Sequence, residues 1–185
     1  SRKSEIEVLA TIILDFVHLM NEKYKDITYV FHSTKDYAEL ILSYIKSNNL
    51  TNCDVVSDDQ IKTHLLNKSV FAIAKSGTVS LEICNAKIPS IILYKMGLIN
   101  FLIIKMLVKT KYANIINISA KEEIIPELLQ SKCNARNIFE NVSNYLENPK
   151  KIEEQIFKTQ SILNSFKMKE SSSELVAKSL NKMLK

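Results

Sequence analysis

Lys75-Ser76-Gly77-Thr78, with Glu82 one helical turn beyond, is the stretch whose residue types and spacing suit a chemical task. A short apolar, partly β-branched run from Val70 to Ala74 precedes it, and Val79 to Ala86 continues with helix-compatible spacing. The whole therefore reads as buried strand, tight turn and helix. The chain carries only two glycines and places Gly77 at this turn, which points to a backbone need: a positive φ or close approach of a ligand. The chemistry such a turn supports is anion binding. The first N–H groups of a helix have no internal partner, and the helix dipole puts partial positive charge there. Ser76 and Thr78 add hydroxyl donors beside those amides, so a diphosphate fits. Glu82 is not spent on capping, because boxes opening at Thr78 or Ser76 would need their acid where Leu81 and Val79 stand. At i+4 from Thr78 it shares a helix face with the turn and can accept hydrogen bonds from a ribose diol. The same spacing also suits an ordinary strand–helix turn with a dipole-favoured glutamate.

The elements around this turn alternate. Ser4-x-x-Glu7 is a capping box, so a helix is expected from Ser4, with Ile6, Leu9, Ala10, Ile13, Phe16, Val17 and Met20 on its apolar face. Ile27 to Phe31 reads as a strand that leaves His32 in a loop, and Ser33 with Asp36 caps a helix over Tyr37 to Ile45. Cys53 to Val56 is a short strand, and Asp58-Asp59 opens a helix rather than a metal site. Ser90 to Tyr94 is a further strand. Pro126 to Gln130 reads as a helix, followed by Ala135 to Leu146, a break at Pro149, Ile152 to Phe166, and Ser172 to Leu184 after a hinge at Ser171 to Ser173. Strands alternating with helices imply an α/β fold: a Rossmann-like parallel sheet with helices on both faces and a helical C-terminal tail. The expected division is 1–149 for the sheet domain and 150–185 for the tail.

Composition narrows the class. With 185 residues, 46% apolar and 24% charged, the chain can bury one real core. A net charge of +5 and a pI near 9.0 permit nucleic acid, an anionic membrane surface or phosphorylated ligands. No basic stripe with interleaved aromatics appears, so no nucleic-acid partner is expected. Cys53, Cys84 and Cys133 are far apart and odd in number, so they are expected to be reduced, buried thiols. His18, His32 and His64 form no metal spacing, and no metal or cofactor is expected. Ile88 to Val108 is long enough to raise a membrane span, but Pro89, Lys95, Gly97, Asn100 and Lys105 interrupt it. Leu98 to Val108 is then either a core helix or an apolar face resting on an anionic bilayer. The chain opens without Met and shows no signal peptide, and it is expected to be a fragment of a longer protein.

SGTVSLE, followed by NAKIPSIILYKM, LVKTKYANIINI and IIPELLQ, resembles in order and spacing the carboxyl-terminal half of the lipid-A-disaccharide synthase family. The resemblance runs from Ser1-Arg2 to about Pro149. It implies the donor-binding half of a GT-B glycosyltransferase. The implied reaction is inverting transfer of 2,3-diacylglucosamine from UDP-2,3-diacylglucosamine to 2,3-diacylglucosamine 1-phosphate, releasing UDP, in lipid A biosynthesis. It further implies that UDP is held by Ser1, Arg2, Ser76, Gly77, Thr78, Glu82, Lys95, Asn117 and Gln130; on the helix expected over Pro126 to Gln130, Glu127 and Gln130 either reach the nucleotide or merely solvate that helix. Ser1-Arg2 would end a Gly-Ser-Arg turn, the guanidinium neutralising phosphate. Lys95 either holds a phosphate or faces water. Asn117 would follow a short strand, but Ile116 stands where the family has proline, which alters the local turn. The general base is implied to lie in the N-terminal half outside this chain, so the isolated fragment is expected to be inactive. The implied location is cytoplasmic, peripheral on the inner face of the bacterial inner membrane, with a homodimer as a further partner. The alternative is a non-catalytic remnant that only binds UDP or dimerises.

Overall fold

The computed structural model describes residues 3–97, 110–166 and 180. Ser1, Arg2, the Leu98–Val108 helix and the Ser171–Leu184 segment of the sequence analysis fall outside these, apart from residue 180. The chain runs α1 (Lys3–Lys23), β1 (Tyr29–His32), α2 (Lys35–Ser47), β2 (Cys53–Val56), α3 (Asp59–Lys68), β3 (Ala72–Lys75), α4 (Thr78–Asn85) and β4 (Ser90–Tyr94). Then come α5 (Ile115–Ala120), β5 (Glu127–Leu129), a 3-10 turn (Gln130–Lys132), α6 (Ala135–Leu146) and α7 (Pro149–Phe166). The fold is α/β, and among the described residues all strands pair in parallel, in two ladders: β1–β2, and β3–β4–β5 with β4 central.

The first four positions of β4 explain the layering. Ser90 to Leu93 are all buried, as a central parallel strand covered on both faces requires. Ile91 and Leu93 point into a core built with Leu14, Val17 and Met20 of α1, Ile41 and Ile45 of α2, and Ile138 and Val142 of α6. Ile92, one residue out of phase, joins Cys84 of α4, Ile116 of α5 and Ile162 and Leu163 of α7. That period-two split puts helices on both faces of the sheet. The first core also takes Tyr29, Phe31, Cys53 and Val55, so it continues under the β1–β2 ladder.

Local signals set many boundaries. The Asp58 carboxylate accepts from the amides of Gln60 at 2.7 Å and Ile61 at 3.3 Å, capping α3 as its position before the apolar run implies. Other expectations are corrected. The N-cap position of α2 is Thr34 rather than Ser33, with no side-chain capping hydrogen bond, and the Ser33 amide continues the ladder to the Val56 carbonyl at 3.0 Å. His32 accordingly ends β1 rather than lying in a loop. Val70 is 68% exposed and precedes the strand, which is shifted to Ala72–Lys75. The break expected at Pro149 is present, after Leu146, but Pro149 itself opens α7, three residues before the expected Ile152, where its missing N–H costs nothing. Pro126 to Gln130 is not a helix. Glu127 to Leu129 pair in parallel with Ile92 to Tyr94, and Gln130 leaves the strand with φ 51.

α7 is joined to the sheet through Gln155, which is 3% exposed. Its Oε1 accepts from the Ser90 amide at 2.7 Å, while Nε2 donates to the Ser90 and Ile124 carbonyls and to the Tyr145 hydroxyl.

The three cysteines are free and buried. Burial pushes the Cys53 and Cys84 thiols up to about 11 and raises Cys133 as well. Since the thiolate is the nucleophile, iodoacetamide at neutral pH should leave all three unmodified in the folded protein and alkylate them rapidly in denaturant. Fast labelling of any one under native conditions would show that its surroundings open.

Candidate functional site

Gly77 is the N-cap of α4 and has φ 157, ψ −168, a conformation that L-residues rarely adopt. No heavy atom lies within 4 Å of where a Cβ would stand, so glycine is needed here for its backbone and not for space. No side chain caps the helix, which leaves the first-turn amides unblocked by any capping oxygen. The Gly77 carbonyl points back into the helix, accepting from the Ser80 amide at 3.1 Å and from its hydroxyl at 2.7 Å. Ser76 donates its hydroxyl to the Ala113 carbonyl at 2.8 Å.

The turn opens on a cleft of about 320 Å³, lined by Ser76, Gly77, Thr78 and Leu81 together with Ala113, Ile115 and Ile118. The lining combines helix-end amides and the Thr78 hydroxyl with the hydrocarbon of Leu81, Ile115 and Ile118. Such a cleft can hold a ligand that joins an anionic group to a less polar one.

Glu82 lies one turn along α4 but does not line this cleft. Its carboxylate faces α3, where Oε2 meets the Lys62 ammonium at 2.8 Å, and its side chain remains 45% exposed. Lys95 donates to the Cys133 carbonyl at 3.3 Å. Gln130 is engaged with the Met96 backbone, accepting from its amide at 2.9 Å and donating to its carbonyl at 3.2 Å. The Lys75 ammonium sits 5.7 Å from the centre of the Tyr94 ring.

Asn117 lies within α5 rather than after a strand, and it is fully buried. Its Oδ1 accepts from the amides of Ile124 and Ile125, both at 2.9 Å, and its Nδ2 donates to the Ile125 carbonyl at 2.7 Å and to Glu127 at 2.8 Å. Glu127, 7% exposed, turns inward rather than toward the cleft. Its carboxylate accepts from the Ala113 amide at 2.7 Å and the Asn114 amide at 3.0 Å.

The structure thus brings Ser76, Gly77 and Thr78 together at the cleft, puts Glu82 on the neighbouring face of α4, and holds Lys95, Asn117 and Gln130 in contacts of their own. Sequence reasoning missed Ser80 and Asn114. Asn114 could have been found as an N-cap, since an Asn before Ile115-Ile116 is a helix-start signal, and its Oδ1 does accept from the Ile116 amide at 2.9 Å. Nothing local marked Ser80, a fully buried serine on an otherwise apolar face. Among the described residues no three His, Cys, Asp or Glu side chains gather to hold a metal, and no helix is long and apolar enough to cross a membrane.

Comparison with known proteins matches residues 1–180 to the family described as lipid-A-disaccharide synthetase. Lipid-A-disaccharide synthase of Rickettsia prowazekii is 34% identical over 180 residues, covering 96% of this chain and 47% of the relative. The enzyme of the same name from a Sulfurihydrogenibium species is 30% identical over 168 residues, covering 86% of this chain and 42% of its own length. That of Rickettsia felis reaches 44% identity over a shorter stretch of 107 residues. The chain therefore spans a little under half the length of such relatives. With a family match over almost its whole length, the parallel α/β fold and a glycine-dependent turn at the head of α4, the chain belongs to the lipid-A-disaccharide synthetase family.

Proposed function

We propose that this chain is the UDP-sugar-binding half of a lipid-A-disaccharide synthase, which transfers 2,3-diacylglucosamine from its UDP donor to 2,3-diacylglucosamine 1-phosphate. The observation that carries the reading is the Gly77 turn opening on the cleft: amides at a helix start, with the Thr78 hydroxyl beside them and Ser76 tying the turn to Ala113, suit a diphosphate. In glycosyl transfer the acceptor hydroxyl attacks the anomeric carbon, and negative charge accumulates on the departing diphosphate. Preorganised amides at Ser76 to Thr78 lower that cost, one such donor typically being worth about 2.7–4 kcal/mol of barrier. Arg2 supplies a further positive charge in this proposal. Glu82 takes the ribose diol, exchanging or sharing its Lys62 contact, and its exposure leaves room for that. Lys95, Asn117 and Gln130 contribute from behind, shaping the backbone around the site. The acceptor half and the general base lie outside this chain, and the assembled enzyme works at the inner face of the inner membrane.

Calorimetry with UDP in EDTA tests the site, with Glu82→Gln beside it. The chain should bind UDP without divalent metal. Glu82→Gln keeps shape and a hydrogen-bonding oxygen but loses charge, and charged hydrogen bonds contribute about 1.5–3 kcal/mol against about 0.5–1.5 for neutral ones. UDP affinity should fall roughly tenfold, while inorganic pyrophosphate, which has no ribose, should bind nearly as before. A folded chain that binds no UDP would sink the donor-site reading. Equal losses for both ligands would move Glu82 from the ribose to the support of the turn.

A further inference from the structure

We infer that Glu127, Asn114 and Ser80 form a positioning relay that aims the Thr78 amide into the cleft, an inference that rests on the turn holding a diphosphate. The relay starts at a buried carboxylate. Glu127 grips two successive amides, those of Ala113 and Asn114, at 2.7 and 3.0 Å, with the strength a charged acceptor brings. The Asn114 side chain, fully buried, then divides its work: Oδ1 caps α5, and Nδ2 donates to the Ser80 hydroxyl oxygen at 2.9 Å.

That donation decides where the single Ser80 proton goes. A hydroxyl has one hydrogen to give, and with its oxygen already accepting from Asn114, it gives that hydrogen to the Gly77 carbonyl at 2.7 Å. Gly77 C=O and Thr78 N–H belong to one planar trans peptide and point in opposite directions. Pinning the carbonyl toward Ser80 therefore turns the Thr78 amide away from the helix interior, on the side where Thr78 lines the cleft. Gly77, with no Cβ to hold its own dihedrals, needs such an external constraint more than any other residue would.

The other flank of the turn is tied to the same segment, since Ser76 donates to the Ala113 carbonyl at 2.8 Å. Ala113 and Asn114 thus hold the turn both before and after its glycine, and Glu127 holds Ala113 and Asn114. None of the three relay residues lines the cleft. They act through Gly77 and Thr78.

The test separates aiming from mere stability. Ser80→Ala removes the relay hydroxyl, and Asn114→Ser keeps an N-cap oxygen but is too short to reach Ser80. Affinities for inorganic pyrophosphate and UDP are measured by calorimetry well below each variant's melting temperature, where all the protein is folded. Both variants should lose about tenfold for both ligands alike, because the relay acts on the phosphate end they share. Ser80→Thr, which restores the hydroxyl, should recover most of the affinity even if its extra methyl lowers the melting temperature. The Thr78 amide NMR resonance should shift in ligand-free Ser80→Ala and return in Ser80→Thr. Lowered melting temperatures with unchanged affinities would overturn the relay, as would a loss confined to UDP. If Ser80→Ala does not fold, Asn114→Ser decides. Failure of the parent chain to bind either ligand would instead defeat the donor-site reading, and the relay with it.

Discussion

Asn117→Ala is expected to remove a large share of the stability of the fold. Asn117 is 0% exposed, and all four of its hydrogen-bonding positions are used, by Ile124 N, Ile125 N, Ile125 O and Glu127. Truncation orphans those groups in a dry interior at about 1–3 kcal/mol each, and adds a cavity. Even with partial relaxation the loss should be about 4–6 kcal/mol, against a total stability of about 5–15. At about 2–4 °C per kcal/mol for a chain of this size, the melting temperature should fall by roughly 10–20 °C. Thermal melts followed by circular dichroism measure this, and a shift within about 3 °C would show that the network around Asn117 holds little. Asn117→Asp offers a signed control. It keeps the acceptor oxygen but puts a second carboxylate oxygen where Nδ2 donated to Glu127, and a like-charge pair raises the folded-state pKa of one member above its unfolded value. The folded state then binds a proton the unfolded state releases, so stability is gained as pH falls through that raised value. The deficit of Asn117→Asp should shrink as pH falls, and that of Asn117→Ala should not.

The contrast between Gly77 and Asn117 shows which parts of the site are legible in a sequence. Gly77 was readable because glycine is scarce here and its requirement is local: one residue, one unusual φ. Ser90–Tyr94 and Ala135–Leu146 were readable to the residue for a similar reason, the first as a continuous apolar run and the second by an apolar helical period next to its Asn134 cap. β5 was not. Three residues carry no period, and Glu127 to Leu129 become a strand because β4 offers a ladder, with the Pro126 carbonyl already accepting from Ile92 at 2.9 Å. Asn117 and Glu127 look from sequence like polar residues free to reach a ligand. Their partners lie 7–14 positions away or on one another, so only the fold reveals that they are spent. Glu82 and Lys62 meet across two helices for a like reason. Short-range chemistry was visible, and polar networks closed by tertiary contact were hidden.

Gly77→Ala should separate binding from folding in the opposite sense to Asn117→Ala. A Cβ at Gly77 meets no atom within 4 Å, so nothing clashes. The penalty is conformational: φ 157 with ψ −168 is reached by L-residues only at a cost of about 1–3 kcal/mol. The chain can escape most of it by rotating the Gly77 backbone toward ordinary β values, at the expense of the Ser80 contacts to its carbonyl. The melting temperature should therefore drop by only about 3–8 °C. Ligand binding has no such escape. Rotating that peptide swings the Thr78 amide off the cleft and disturbs its neighbour, and two charge-assisted hydrogen bonds at about 1.5–3 kcal/mol each are at stake. UDP and pyrophosphate affinity should both fall roughly 100-fold or more. A Gly77→Ala chain that folds and binds either ligand within about threefold of the parent would mean that the anion is not held by this turn. Loss of UDP alone, with pyrophosphate intact, would place the phosphates elsewhere and leave the turn with the sugar.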